Sequence, residues 1–171
     1  ALLGKGDPRT AFSGNAGTTN VYRLAGRGWA AVVLLLDCGR GIGLAAMAMA
    51  LLPPGLVPWI GLALVAGNRF PCFHRFRGGK GVASYLGFTL PITPWGAALS
   101  CLSWVAVHRI VRVPFIASFC MVPILGAATV AATGIGVAPL AGTIATVAWI
   151  GFNHRSNILG LLDQRRGKAA R

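Results

Sequence analysis

The segment SGNAGTTN, residues 13–20, holds two glycines, two asparagines and three hydroxyl side chains, with Arg9 before it and Arg23 after it. Nothing in it builds an apolar core. Backbone N–H groups left accessible by glycine, beside amides and guanidinium groups, make a cradle for an anion. Two further stretches share the character: RFRGGKG, with Arg75, Arg77 and Lys80 among three glycines, and HRSNI, with His154, Arg155 and Asn157. The acids Asp7, Asp37 and Asp163 lie far apart, so no carboxylate pair is available for hydrolytic acid–base work. The chemistry these residues suit is the holding and orienting of phosphate.

Plainer readings stand beside this one. SGNAGTTN contains good helix N-caps. RGGKG is equally a flexible basic hairpin against anionic lipid headgroups. A nucleotide phosphate loop is excluded: its first glycine is absent from the stretch before Gly79-Lys80, and Gly81 stands in the place of the Ser or Thr after the lysine. Cys38, Cys72, Cys101 and Cys120 form no CxxC pair and read as small apolar fillers, so neither a metal nor a cofactor is implied.

The elements that must position these stretches are apolar. Of 171 residues 55% are hydrophobic and only 11% charged, against roughly a quarter in a soluble domain, and the mean hydropathy is +0.67. The net charge of +13 raises the possibility of nucleic acid. A soluble basic domain would not spread apolar runs along most of its length, so a membrane protein is expected and nucleic acid is not. Runs lie at Trp29–Leu52, Leu56–Gly67, Val82–Leu90, Trp95–Val107, Pro114–Ala132 and Val137–Phe152. The first, fifth and sixth suffice for a span of roughly 20 residues; the middle three are short and suggest broken or re-entrant helices. Basic residues follow every second run, and the connections between carry no charge. Six crossings therefore put all basic loops on one face, the cytoplasmic one by the positive-inside rule. One membrane-embedded all-α domain is expected. Within the first run, Arg40 and Asp37 share a helical face and read as a structural ion pair.

The motifs DPR, SGNAGTTNVYR, LLLDCGRG, FPCFHRFRGGKGVAS and HRSNI, in this order and spacing, resemble the bacterial acyl-phosphate:glycerol-3-phosphate acyltransferases (the PlsY family) across nearly the whole chain. The resemblance implies an inner-membrane enzyme of about seven helices with a cytoplasmic active site. It also implies that the initial Ala-Leu-Leu is the tail of a preceding span. The reaction implied moves a fatty acyl group from acyl phosphate to glycerol 3-phosphate, giving lysophosphatidic acid and phosphate, with membrane lipids as surroundings and a monomer as the working unit. By motif, Ser13, Gly14, Asn15, Thr18, Thr19, Asn20 and Arg23 would line a phosphate site from the first loop. Gly78 and Gly79 would supply backbone donors and Lys80 a point charge from the second. Ser118 and Asn157 would also contact substrate, and His154 would be the catalytic base, unless a substrate phosphate oxygen takes the proton and His154 only orients the cradle. The sequence departs from the family pattern at Asn68, Phe115, Gly160 and Arg166, and has Arg for Lys at Arg40 and Arg77.

Two rival classes are weaker. An organic-phosphate transporter would also want a cationic cavity, but inverted repeats with paired broken helices are not visible here. Acyltransferases using acyl-CoA through His-x4-Asp would need an acid five residues after a histidine, where this chain has Gly79, Val113 and Leu159.

Overall fold

The computed structural model describes residues 4, 6–12, 14–72 and 76–169, with the backbone alone for 164, 165 and 167–169. Among these the chain forms α1 (Thr18–Ala25), α2 (Arg27–Leu51), α3 (Val57–Arg69), α4 (Val82–Ile92), α5 (Pro94–Val111), α6 (Pro114–Thr133), α7 (Val137–Asn153) and α8 (Arg155–Ala169), with a 3-10 turn at Pro54–Leu56 between α2 and α3. No strand occurs among the described residues.

The apolar runs become α2 to α7, and proline sets most of their boundaries. Pro94 and Pro114 each sit in the first turn of a helix, where a missing N–H costs nothing. The break inside residues 82–107 falls at Thr93, whose hydroxyl accepts from the Gly96 N–H at 3.3 Å and caps α5. The stretch is therefore two helices, as the alternation of charged loops requires. Lengths differ from expectation in two places. The run expected to be short at Trp95–Val107 lies in an 18-residue α5. The last run, expected to span fully, gives an α7 of 17 residues, at the lower limit for crossing. Among the described residues, α2 and α6 are long and apolar enough to cross a membrane by length and composition.

Polarity is distributed inside out. Leu35, Leu102 and Ile110 are 71%, 68% and 81% exposed, while Ser84, Thr89, Ser100, Thr129 and Thr146 are completely buried. In water that arrangement would waste apolar surface; in a bilayer the lipid-facing side is the apolar one. Several inner hydroxyls donate to carbonyls on the preceding turn of their own helix, as Thr129 to Leu125 at 2.8 Å and Thr146 to Gly142 at 2.7 Å.

Close approach of α2 and α4 fixes the height of the site. A Cβ on Gly41 would strike the backbone of Ser84, Gly87 and Phe88, and one on Gly87 would strike the backbone of Cys38. Two facing glycines let these helices touch through their main chains, the small-residue packing favoured in membranes. Arg40, next to Gly41, is thereby held beside the segment that leads into α4.

Candidate functional site: a cationic cleft and a neighbouring histidine

Between the N-terminal loop, α2 and the α3–α4 connection lies a cleft of about 380 Å³, lined by Arg9, Ala16, Val33, Leu36, Asp37, Arg40, Asn68, Pro71, Arg77, Gly78 and Gly79. Three arginines from three separate segments thus line one space, with Asp37 the single acid among the lining residues. Arg9 is positioned by Asp7, whose carboxylate accepts the Arg9 backbone N–H at 2.9 Å. The Arg9 Nε is buried without a hydrogen-bond partner among the described residues. Arg40 donates from Nη2 to both Asp37 and Asn68, the latter at 2.8 Å. The expected Asp37–Arg40 ion pair is present, but Arg40 also lines the cleft.

The first loop is tied from within. Asn20, 2% exposed, donates through Nδ2 to the carbonyls of Pro8, Ala11 and Asn15 at 2.6, 3.0 and 2.9 Å. It folds the loop around itself, and Ala16 reaches the cleft as a result. Gly14 has φ of +63°, the left-handed conformation that a side chain disfavours. Thr18 and Thr19 open α1, with Thr18 Oγ1 buried and unpartnered among the described residues and Thr19 exposed. Arg23 is in the last turn of α1, exposed and outside the cleft lining. Arg9, from the loop before α1, lines the cleft, whereas Arg23 at the far end of α1 does not. Ser13 lies outside the described residues.

The second loop is closed by its own glycine amides. The Gly78 N–H donates to the Arg69 carbonyl at 3.1 Å and the Gly79 N–H to the Asn68 carbonyl at 3.0 Å. Both amides close the loop onto the end of α3, so neither is the free backbone donor expected from the motif. The need for glycine is steric: a Cβ on Gly78 would collide with the Asn68 carbonyl and the Pro71 ring, and one on Gly79 would sit 2.8 Å from Asn68 Nδ2. Lys80 follows, half-buried, and Gly81, at φ of +92°, turns the chain into α4. Burial pushes the Lys80 ammonium down to about 8, and the nearby Arg69 guanidinium adds to the effect.

The third segment reaches the second through Asn153, which the sequence reading passed over. Asn153 is 5% exposed and its Nδ2 donates to the Lys80 carbonyl at 3.4 Å. His154 follows, buried, with Nδ1 2.8 Å from the Ile150 carbonyl. A carbonyl only accepts, so Nδ1 carries the proton and Nε2 holds the free lone pair. Burial brings His154 down to about 4, opposed by that hydrogen bond and reinforced by the charge of Lys80. Its ring lies 5.4 Å from that of Phe119. His154 does not line the cationic cleft. It closes an apolar cavity of about 90 Å³ between α6 and α7, shared with Ser118 and Phe119. Ser118 Oγ donates to the Pro114 carbonyl at 3.2 Å and accepts from Trp104 Nε1 at 3.3 Å. Asn157, half-buried in the first turn of α8, donates its N–H to the His154 carbonyl at 2.9 Å.

A family profile described as glycerol-3-phosphate acyltransferase matches residues 1–164. The glycerol-3-phosphate acyltransferase of Pseudomonas syringae pv. tomato is 36% identical over 165 residues, covering 96% of this chain and 84% of that protein. That of Myxococcus xanthus is 39% identical over 159 residues, covering 91% and 81%. Among solved structures, the crystal structure of PlsY (YgiH), an integral membrane glycerol 3-phosphate acyltransferase, in its glycerol 3-phosphate form superposes with a TM-score of 0.86 at 34% identity, covering 96% of this chain and 83% of that one. Its lysophosphatidic acid form gives 0.80 at 34% identity, covering 90% and 79%.

Proposed function

Because the chain belongs to the glycerol-3-phosphate acyltransferase family, we propose that it transfers a fatty acyl group from acyl phosphate to glycerol 3-phosphate at the cytoplasmic rim of the bacterial inner membrane. It works as one membrane-embedded domain and as a monomer, with lipid as its solvent. The observation that carries the reading is the convergence of Arg9, Arg40 and Arg77 on one cleft, one residue from Lys80, whose carbonyl is bonded to the residue before His154. Two anionic substrates need such a concentration of cations. The long alkyl chain of one of them needs the apolar walls that Val33 and Leu36 of α2 provide.

In the proposed reaction a hydroxyl oxygen of glycerol 3-phosphate attacks the acyl carbonyl carbon. The bond from that carbon to the phosphate oxygen breaks, and inorganic phosphate leaves with the electron pair. The protein's work is positioning, worth about 7–11 kcal/mol when well oriented, and stabilisation of the developing oxyanion, about 3 kcal/mol per donor. Lys80, an ammonium at pH 7, offsets charge on the phosphates. Arg9, Arg40 and Arg77 hold phosphate, and Gly14, Asn15, Thr18, Thr19 and Asn157 line the approach from the first loop and α8. Asn20, Gly78 and Gly79 act by shaping these loops.

The destination of the hydroxyl proton follows from magnitudes. A base works best with a pKa near the working pH, and His154 at about 4 is some three units too acidic. A phosphate monoester oxygen, with a second pKa of about 6, is the better acceptor. Substrate phosphate therefore receives the proton, and His154, bonded to the Ile150 carbonyl and next to the residue that holds the Lys80 carbonyl, orients the cradle.

Purified protein given palmitoyl phosphate and labelled glycerol 3-phosphate tests the reading. Labelled lysophosphatidate that is lost in Lys80→Ala and Asn157→Ala supports it; flux of label into vesicles without acylated product contradicts it and favours a transporter.

A further inference from the structure

Asn68 is 9% exposed at the end of α3, one residue before the charged Arg69, and it meets the cleft on three counts. Its Oδ1 accepts from Arg40 Nη2 at 2.8 Å. Its backbone carbonyl accepts the Gly79 N–H at 3.0 Å. Its amide nitrogen lies against the space where Gly79 lacks a Cβ. One residue therefore joins the α2 cation, 28 positions earlier, through its side chain and the glycine strap through its backbone.

The arrangement on Arg40 is asymmetric. Both hydrogens of Nη2 are engaged, one by the Asp37 carboxylate and one by the Asn68 carbonyl oxygen. The guanidinium has five donors in a rigid fork, so Nη1 and Nε retain three for another acceptor. If Asp37 alone held Arg40, the pair could close on itself as a bidentate, charge-cancelled unit. A neutral acceptor on the other side of Nη2 prevents that closure without removing charge from the cleft.

We propose that Asn68 is a positioning residue that turns Arg40 away from full pairing with Asp37 and so sets how strongly the cleft binds a substrate phosphate. The inference rests on the phosphate-site reading of the cleft. It makes the side-chain amide, and not merely any acceptor at this place, the feature that matters. A carboxylate there would keep the hydrogen bond to Arg40 but spend its charge; a methyl group would release it to Asp37.

The test compares Asn68→Asp and Asn68→Ala in the full protein in detergent. Readouts are KM for glycerol 3-phosphate and for palmitoyl phosphate, kcat, and calorimetric Kd for inorganic phosphate. Asn68→Asp is isosteric, so a residue that only braced the fold would tolerate it better than Asn68→Ala. The proposal expects the reverse for binding: Asn68→Asp raises the phosphate Kd and at least one KM about tenfold or more, because the carboxylate keeps the bond to Arg40 but neutralises its charge and repels the anion, while kcat moves less than about threefold and Tm is held. A double-mutant cycle of Asn68→Ala with Arg40→Gln supplies the second readout, since Asn68→Ala should lose its effect on Kd once Arg40 is gone. Unchanged Kd and KM in Asn68→Asp, or an equal effect of Asn68→Ala in the Arg40→Gln background, overturns the proposal. Wild-type protein that binds phosphate and forms no lysophosphatidate overturns the acyltransfer reading instead, and the Kd cycle still decides the role of Asn68.

Discussion

Lys80 should write its titration into the pH profile. Its ammonium is pushed down to about 8 by burial and by Arg69, so in the free enzyme about nine-tenths of it is charged at pH 7 and about one-tenth at pH 9. If that charge is needed to hold a phosphate, kcat/KM, which reports the free enzyme, falls about tenfold across those two units. Both substrate phosphates are already dianions there, their second pKa being about 6, so the fall belongs to the protein. In kcat, where a bound dianion favours the ammonium, the same limb moves to higher pH. The assay is initial-rate production of labelled lysophosphatidate from pH 6 to 10, corrected for spontaneous hydrolysis of the acyl phosphate. Lys80→Arg, charged throughout, should lie below the wild type at pH 7 because a planar fork does not replace a point charge. Its profile should stay flat to pH 10. A wild-type profile flat to pH 9.5, or an alkaline limb retained in Lys80→Arg, would refute the reasoning.

Gly78→Ala places a methyl group against the Asn68 carbonyl and Pro71. Relief of such overpacking costs about 1–3 kcal/mol, and because the loop forms one wall of the cleft, KM for glycerol 3-phosphate should rise as Tm falls. Asn20→Ala removes the donor shared by three loop carbonyls; a loss of about 1–3 kcal/mol in thermal stability should be accompanied by weaker phosphate binding, both measurable by thermal denaturation with and without ligand. His154→Gln keeps a polar side chain and removes the imidazole. The orienting role predicts a fall in kcat of less than about 100-fold, below most of the range for a true general base, and a fall beyond about 10³-fold would return His154 to that role.

Legibility in the sequence followed the locality of each interaction. Helix boundaries were readable because Pro94 and Pro114 act within one turn of themselves, and the fold class because leucine runs cannot face water. The length of α5 was not, since Val107–Val111 includes His108 and Arg109 and no longer reads as apolar, although the helix continues to a left-handed cap at Arg112. Lys80 and the His154 segment stood out by residue type. Asn68 stood out only as a departure from the family pattern and Asn153 not at all; the role of neither was readable, because each acts through a contact 28 or 73 residues away and sits beside an apolar run. The direction of the Gly78 and Gly79 amides was equally hidden: it depends on where α3 ends, and the carbonyls of Asn68 and Arg69 claim both. That Arg9 lines the cleft was hidden for a geometric reason, since the loop before a helix that begins at Thr18 is folded by contacts its own residue types do not announce.

Acyl transfer from a phosphate anhydride has a fixed stoichiometry, and measuring it is the most direct test of this account. With palmitoyl phosphate and labelled glycerol 3-phosphate, the purified protein should release one inorganic phosphate for each lysophosphatidate formed, and palmitoyl-CoA should not replace the donor. Phosphate released without acylated product, or product formed equally well from the thioester, would contradict it.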